Sequence, residues 1–221
     1  FYPETNAVAV LGGLPDAPSV SWSIELPQPD GGAGALAVND AGDAVLFAAS
    51  GGETPVWLLT SDAGPRVLTS VTSRPSLAFL PGSPDALVAD GGTGLVTLVR
   101  DPKGEAVLAP IGGPAEGVTR PVGVAAAPDK RSVLVANAEP AGILSLSLEG
   151  GEPQTLSCDC VVSGLERLPG GAAFRVTGAE SDLLWLLDAG GPPRLVFVPD
   201  SQADPRRAVS RPEPVRRGGE R

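Results

Sequence analysis

The sequence contains no histidine and no methionine, only two cysteines and one tyrosine, and aromatic residues make up just 4% of its 221 positions. Without histidine, neither a Ser-His-Asp nor a Cys-His nucleophile arrangement can be assembled from these residues, and the usual His-containing zinc sites are excluded with them. Long apolar runs are also missing. Gly, Pro or Asp breaks each candidate after roughly six residues, whereas a membrane helix needs about 20, so no membrane span is expected. Basic residues are few, 16 against 26 acidic ones, for a net charge of −10. They concentrate at one end: residues 201–221 hold six Arg against Asp204, Glu213 and Glu220, leaving −13 on the rest. An acidic body of this kind argues against a nucleic-acid surface, which requires a clustered basic face.

What is abundant is turn chemistry. Twenty-nine Gly and 24 Pro are spread in short clusters along the chain, while the apolar fraction of 42% is that of an ordinary folded protein. Many turns between short apolar segments mean an all-β chain, because almost every window long enough for helical periodicity contains a Gly or Pro.

Laid against itself, the chain repeats about every forty residues. Four segments align, from Gly34 (GALAVNDAGDAVLFAASGGETPVWLLTSDAGPRVLTS), Pro75 (PSLAFLPGSPDALVADGGTGLVTLVRDPKGEAVLAP), Pro121 (PVGVAAAPDKRSVLVANAEPAGILSLSLEGGEPQTLS) and Ser163 (SGLERLPGGAAFRVTGAESDLLWLLDAGGPPRLVFV), with starts 41, 46 and 42 residues apart. Each has the order apolar run, polar turn, apolar run, Gly-rich loop, apolar run, turn, apolar run. The first turn falls at Asn39–Asp43, Pro81–Asp85, Pro128–Arg131 and Pro169–Gly171, and the later one at Ser61–Pro65, Asp101–Gly104, Glu149–Pro153 and Asp188–Pro193. These residue types preset or tolerate the backbone angles of a tight reversal. The runs between them, such as Val56–Leu59 and Leu95–Val99, suit strands and are too short for helices. A sheet of four such strands cannot bury both faces alone and must stack on its neighbours, for which radial stacking is the propeller solution. The expected fold is therefore all-β, a β-propeller of four-stranded antiparallel blades, with about four full blades and a partial one ahead of them.

The third unit, RPVGVAAAPDKRSVLVANAEPAGILSLSLEGGEPQTL, resembles a repeat of the YVTN and NHL-like propellers through its Pro-Val-Gly-Val start, Pro-Asp turn and Val-Ala-Asn strand end; RPSLAFLPGSPDALVADGG in the second unit is a looser match. The resemblance covers residues 34–198 and implies the fold. No activity follows from it, since such propellers host unrelated functions. It also implies an extracytoplasmic setting, periplasmic, cell-surface or secreted.

The blades are expected at about 34–73, 75–120, 121–161 and 163–199. Residues 1–33 then read as the end of a preceding blade and a connection: Phe1-Tyr2, a turn over Pro3–Asn6 and Ala7–Leu11 match the second hairpin of a blade, and Val20–Leu26 is either an added strand or part of an insertion. Either the segment is the C-terminal portion of a larger propeller, the favoured reading, or residues 1–11 contribute half of a fifth blade to a ring. Half a ring would expose unpaired apolar blade faces as docking or aggregation surfaces. Residues 201–221, Arg- and Pro-rich without apolar periodicity, read as a disordered tail.

Most Asp residues, including Asp43, Asp62, Asp85, Asp101 and Asp129, fall in turns where geometry alone explains them. Cys158 and Cys160 form a Cys-Asp-Cys pair. On an extended segment their Cα atoms lie roughly 6.6 Å apart, near the upper limit for a disulfide, so a loop-closing disulfide, two buried thiols and half a metal site all stay open. Trp57 and Trp185 occupy equivalent places and point to packing between blades; Trp22 lies outside that register, either exposed in the connection or, the favoured reading, packed against the first blade. The candidate ligand-binding residues come from topology. Loops after second strands and before first strands gather at one channel mouth, which brings in Asp90 (VADGG), Asn137 (VANAE), Arg74 and Arg120. Their oxygens and guanidinium groups could hold a cation, a sugar or an acidic peptide; alternatively Asp90 and Asn137 cap strand ends and the arginines are solvated.

The favoured function is a non-catalytic recognition or scaffold propeller that presents loops to a protein or glycan ligand, needs no cofactor and forms part of a larger exported protein. The alternative is an enzyme resembling the propeller lactonases or calcium-dependent hydrolases, with a calcium ion in the channel polarising substrate and Asp90 and Asn137 as the residues to replace.

Overall fold

A computed structural model describes residues 1–13, 16–26, 32–157, 161–168, 172–178, 184–189 and 194–198. Cys158, Cys160 and the segment 201–221 lie outside the described residues.

The chain opens with a two-stranded sheet, β1 (Ala7–Gly12) and β2 (Ser19–Glu25). Four antiparallel four-stranded sheets follow, each with its strands adjacent in chain order. Blade I is β3 (Ala33–Val38), β4 (Ala44–Ala49), β5 (Thr54–Thr60) and β6 (Arg66–Val71). Blade II is β7 (Pro75–Phe79), β8 (Ala86–Asp90), β9 (Leu95–Arg100) and β10 (Val107–Gly112). Blade III is β11 (Pro121–Ala126), β12 (Ser132–Ala138), β13 (Ala141–Ser147) and β14 (Gln154–Ser157), and blade IV is β15 (Gly164–Arg167), β16 (Ala173–Thr177), β17 (Leu184–Asp188) and β18 (Arg194–Val198). One short helical turn, Pro114–Glu116, lies in the connection from blade II to blade III.

The side-chain alternation of a strand explains how the blades stack. In β8, Leu87 and Ala89 face blade III while Ala86 and Val88 face blade I; in β12, Val133 and Val135 face blade II while Leu134 and Ala136 face blade IV. Second strands of blades I to III are therefore continuous apolar runs, because both faces are buried. The open face of blade I is covered by the β1–β2 sheet: Val8 and Leu26, with Val10, Trp22 and Ile24 beside them, pack on Val45, Phe47 and Leu59. Phe1 stacks on Phe47 with ring centroids 5.1 Å apart, and the Trp22 indole N–H donates to the Gly42 carbonyl at 2.8 Å. Val20–Leu26 thus supplies a strand, and β1 pairs with it along its length, whereas Tyr2 and Ala7 make a single bridge. Trp57 is half-buried against the same cluster. Each fully buried Leu, Val or Phe contributes about 1.5–3 kcal/mol relative to an exposed one, so the inter-blade clusters dominate the stability.

The first strands β3, β7, β11 and β15 contact one another in that order and form the wall of a central channel. The Val124 N–H donates to the Ser76 hydroxyl at 2.9 Å, joining the inner strands of blades II and III. Where β11 meets β15 the backbones are so close that a Cβ on Gly123 would lie 2.6 Å from the Leu165 nitrogen, which is why only Gly fits there. Four four-stranded blades in a ring make this a β-propeller.

Candidate functional site

The channel has two mouths. At the end where first strands begin and second strands finish, Ala33, Gly34, Ser50, Gly51, Arg74, Pro75, Val122 and Ser163 line a hollow of about 350 Å³. At the opposite end, residues of all four inner strands, among them Val38, Phe79, Ala126 and Leu165, surround a hollow of about 190 Å³ that also takes in Asp40 and Arg167. An ion pair of 3.4 Å between Arg167 and Asp40 links blade IV back to blade I there, and Asp40 also accepts the Gly82 N–H of blade II at 2.7 Å.

Asp90 ends β8 with its side chain buried. Its carboxylate accepts the backbone N–H groups of Thr72 at 2.9 Å, Ser73 at 3.3 Å and Gly92 at 2.9 Å, and the Thr72 hydroxyl at 2.8 Å. Burial opposes ionisation, but the N–H groups of Thr72 and Gly92 and the hydroxyls of Thr72 and Thr93 outweigh it and hold the carboxyl below its ordinary range. This arrangement latches the connection from blade I onto the second strand of blade II. Gly91 and Gly92 make it possible: a Cβ on Gly92 would lie 2.2 Å from the Thr72 hydroxyl oxygen, and one on Gly91 would lie 2.8 Å from the Arg74 Cβ.

Asn137 is the counterpart in blade III, since Asp90 pairs with Pro75 and Asn137 with Pro121 in register. Its amide Nδ2 donates to the Gly117 carbonyl at 2.9 Å, which ties the blade II–III connection in the same manner, but its buried Oδ1 has no protein partner. Blade I uses Ser50, whose hydroxyl donates to the Gly32 carbonyl at 3.0 Å, and blade IV a hydroxyl pair, Ser163 and Thr177, 3.4 Å apart. The polar residue at the end of each second strand is therefore first a fastener between blade and connection.

The two arginines differ. Arg120 forms an ion pair with Glu139 on the β12–β13 turn and does not line the mouth. Arg74 lines it, is exposed, and has no ion-pair partner among the described residues. Its backbone stands at φ +45°, in the left-handed region. Of the turn carboxylates, Asp43 accepts the side-chain amide N–H of Asn39 at 2.7 Å and pairs with Lys103 at 2.8 Å, and the Lys103 and Asn39 contacts hold its carboxyl low. Asp129 accepts the N–H groups of Arg131 and Ser132; these outweigh its partial desolvation, so it too lies below the usual range. Asp85 accepts the Asp101 N–H at 3.0 Å. Among the described residues no three His, Cys, Asp or Glu side chains come together as metal ligands. Sequence reasoning missed Ser50 and Ser163 at one mouth and the Asp40–Arg167 pair at the other. Asp40 lay hidden in a turn read as geometry, and a pair 127 residues apart leaves no local signal.

No family model matches the chain, and no curated protein does. Solved structures match it as a propeller. A functionally unknown protein from Desulfotomaculum acetoxidans superposes with a TM-score of 0.60 at 14% identity, covering 88% of this chain and 63% of that one. The β-propeller domain of Cps50 (Swd1) from Myceliophteria thermophila gives 0.58 at 11% identity, covering 80% and 60%. Hydrazine synthase from Kuenenia stuttgartiensis gives 0.52 at 16%, covering 77% and 51%. The chain thus spans about half to two-thirds of the length of these structures, and at such identities the likeness concerns the fold.

Proposed function

We propose that the chain is a non-catalytic recognition propeller of the YVTN/NHL-like kind, belonging to an exported protein and presenting the Arg74 mouth of its channel to a protein or glycan ligand. The observation that carries this reading is the division of labour among the polar residues at that mouth. Asp90 and Asn137 are committed to backbone groups of the connections, and Ser50 and Ser163 to fastening blades I and IV, while Arg74 stands in the hollow with no ion-pair partner among the described residues. A rigid stack of blades with polar groups held on loops is suited to binding. The acidic body favours partners other than nucleic acid.

The test is a binding screen of the full chain against peptide and glycan panels, run beside ester and lactone hydrolysis assays with added calcium. A ligand whose binding is weakened by substitution at the mouth supports the reading. Calcium-dependent turnover abolished by Asp90→Asn, with no ligand found, would replace it with the hydrolase alternative.

A further inference from the structure

The Arg74 mouth has a more specific chemistry than general recognition. Arg74 holds a left-handed backbone that glycine adopts freely and long L side chains rarely do. Elsewhere at positive φ the chain uses eight described Gly, or Asn6 and Asp101, which tolerate that region; Arg74 and Lys130 are the other two. Glycine is the residue such a turn favours, and with arginine there instead a guanidinium is carried into the hollow. The surroundings accommodate it. Gly91 is the residue that lets the Arg74 Cβ approach, and Pro75 fixes the chain immediately after.

Most arginines of the described body are already occupied: Arg66 on the carbonyls of Pro102 and Gly104, and Arg120, Arg131, Arg167 and Arg175 on carboxylates. Arg74 stands in a hollow with two hydroxyl side chains, Ser50 and Ser163, and beside Val122 and Ala33. One guanidinium matches one carboxylate by a pair of parallel N–H···O bonds. Among its described lining residues the mouth has no carboxylate to hold a metal cation, one cation only and so too few for a phosphate cluster, and no aromatic side chain on which a sugar ring would stack.

We infer that this mouth binds an aliphatic monocarboxylate, its carboxylate on Arg74 and its chain against Ala33 and Val122, supplied either by a small organic acid or by the C-terminus of a peptide ending in a small aliphatic residue. The inference rests on the recognition reading above and names the ligand class.

The test uses the full chain and four probes: pentanoate, pentanamide, and the tripeptide acetyl-Ala-Ala-Val with a free or an amidated C-terminus, titrated by calorimetry and by NMR. The expected result is saturable binding of at least one acid, with its amide weaker by at least about tenfold. Arg74→Gly should lose the acid by a similar factor while its melting temperature does not fall, because Gly relieves the left-handed backbone. Arg74→Lys, which keeps the charge without the fork, should fall between. The tighter of the two acids identifies the source. Equal binding of acid and amide, unchanged binding by Arg74→Gly, or no binding of either acid overturns the carboxylate site. A macromolecular partner that binds wild type and Arg74→Gly alike would leave the recognition role standing and remove only this inference. Ester turnover would end the recognition role while leaving the measured carboxylate affinity intact.

Discussion

Blades III and IV are copies of one four-stranded unit, yet their second strands live in different surroundings. In β12 the residues Val133 to Asn137 are buried in succession, since blade II covers one face and blade IV the other. In β16 burial alternates: Phe174 and Val176 pack on blade III, while Arg175 between them is exposed and pairs with Glu166 of β15. The fasteners follow the same division. Asp90 and Asn137 are buried side chains holding backbone groups, whereas the Ser163–Thr177 contact is exposed and 3.4 Å long. On the described part of the outer face of blade IV, the Arg175–Glu166 ion pair lies in register with half-buried Leu186 and exposed Val196, a mixed face where β12 has two apolar ones.

The largest effects should fall between blades II and III. Leu87→Ala removes a fully buried side chain from their shared cluster and should cost about 2–5 kcal/mol in denaturant unfolding. Asp90→Asn should follow at about 3 kcal/mol, because an amide cannot accept all the donors that converge on the carboxylate and turns its own N–H groups toward them. The sign with pH is set by the lowered carboxyl. Its contribution is fully present above the ordinary Asp pKa of 3.8 and is lost as pH falls through the lower folded value. The stability gap between wild type and Asp90→Asn should therefore be constant from neutral pH to about 5 and narrow only on further acidification. A gap that does not change on acidification would mean that the latch works without the charge.

Much of this comparison could be read in the sequence, for definite reasons. The turns at Asn39–Asp43 and Pro81–Asp85 lie between first and second strands because their residues dictate reversal locally, and the starts at Pro75 and Pro121 coincide with β7 and β11. The contrast of Val-Leu-Val-Ala-Asn with Phe-Arg-Val-Thr takes its meaning only from the stack, which covers both faces of β12 and one of β16. The partner of β1 was not legible, because Phe1-Tyr2 and Val20–Leu26 are both plausible strands and only the cover over Val45 and Phe47 decides between them. Nor could the roles of Asp90 and Arg74 be separated. Both sit at one mouth in any propeller, and the difference lies in hydrogen bonds from Thr72 and Gly92 to one and an open hollow beside the other.

Asn137→Asp tests the same latch with the opposite pH dependence. The Gly117 carbonyl faces the side chain, and Asn137 Oδ1 receives no protein donor, so a carboxylate there would be buried without compensation. Its folded pKa should be raised, and its contribution should be lost as pH rises through that value. The variant should cost about 2 kcal/mol at neutral pH and progressively less below about pH 5, a reversal of the Asp90 profile.

The smallest effect belongs to the outer face of blade IV. An exposed ion pair such as Arg175–Glu166 contributes at most about 1 kcal/mol, so replacing both residues with Val should leave the unfolding midpoint nearly unchanged. The consequence should appear instead in solution mass. Val196 is already 41% exposed, and joining it to two more apolar side chains builds a continuous patch on a sheet face. Light scattering should then show concentration-dependent association that wild type lacks, while Leu87→Ala at equal concentration loses stability first. If the double variant instead unfolds as readily as Leu87→Ala, the pair is part of the folded core's support and the contrast between blades III and IV does not hold.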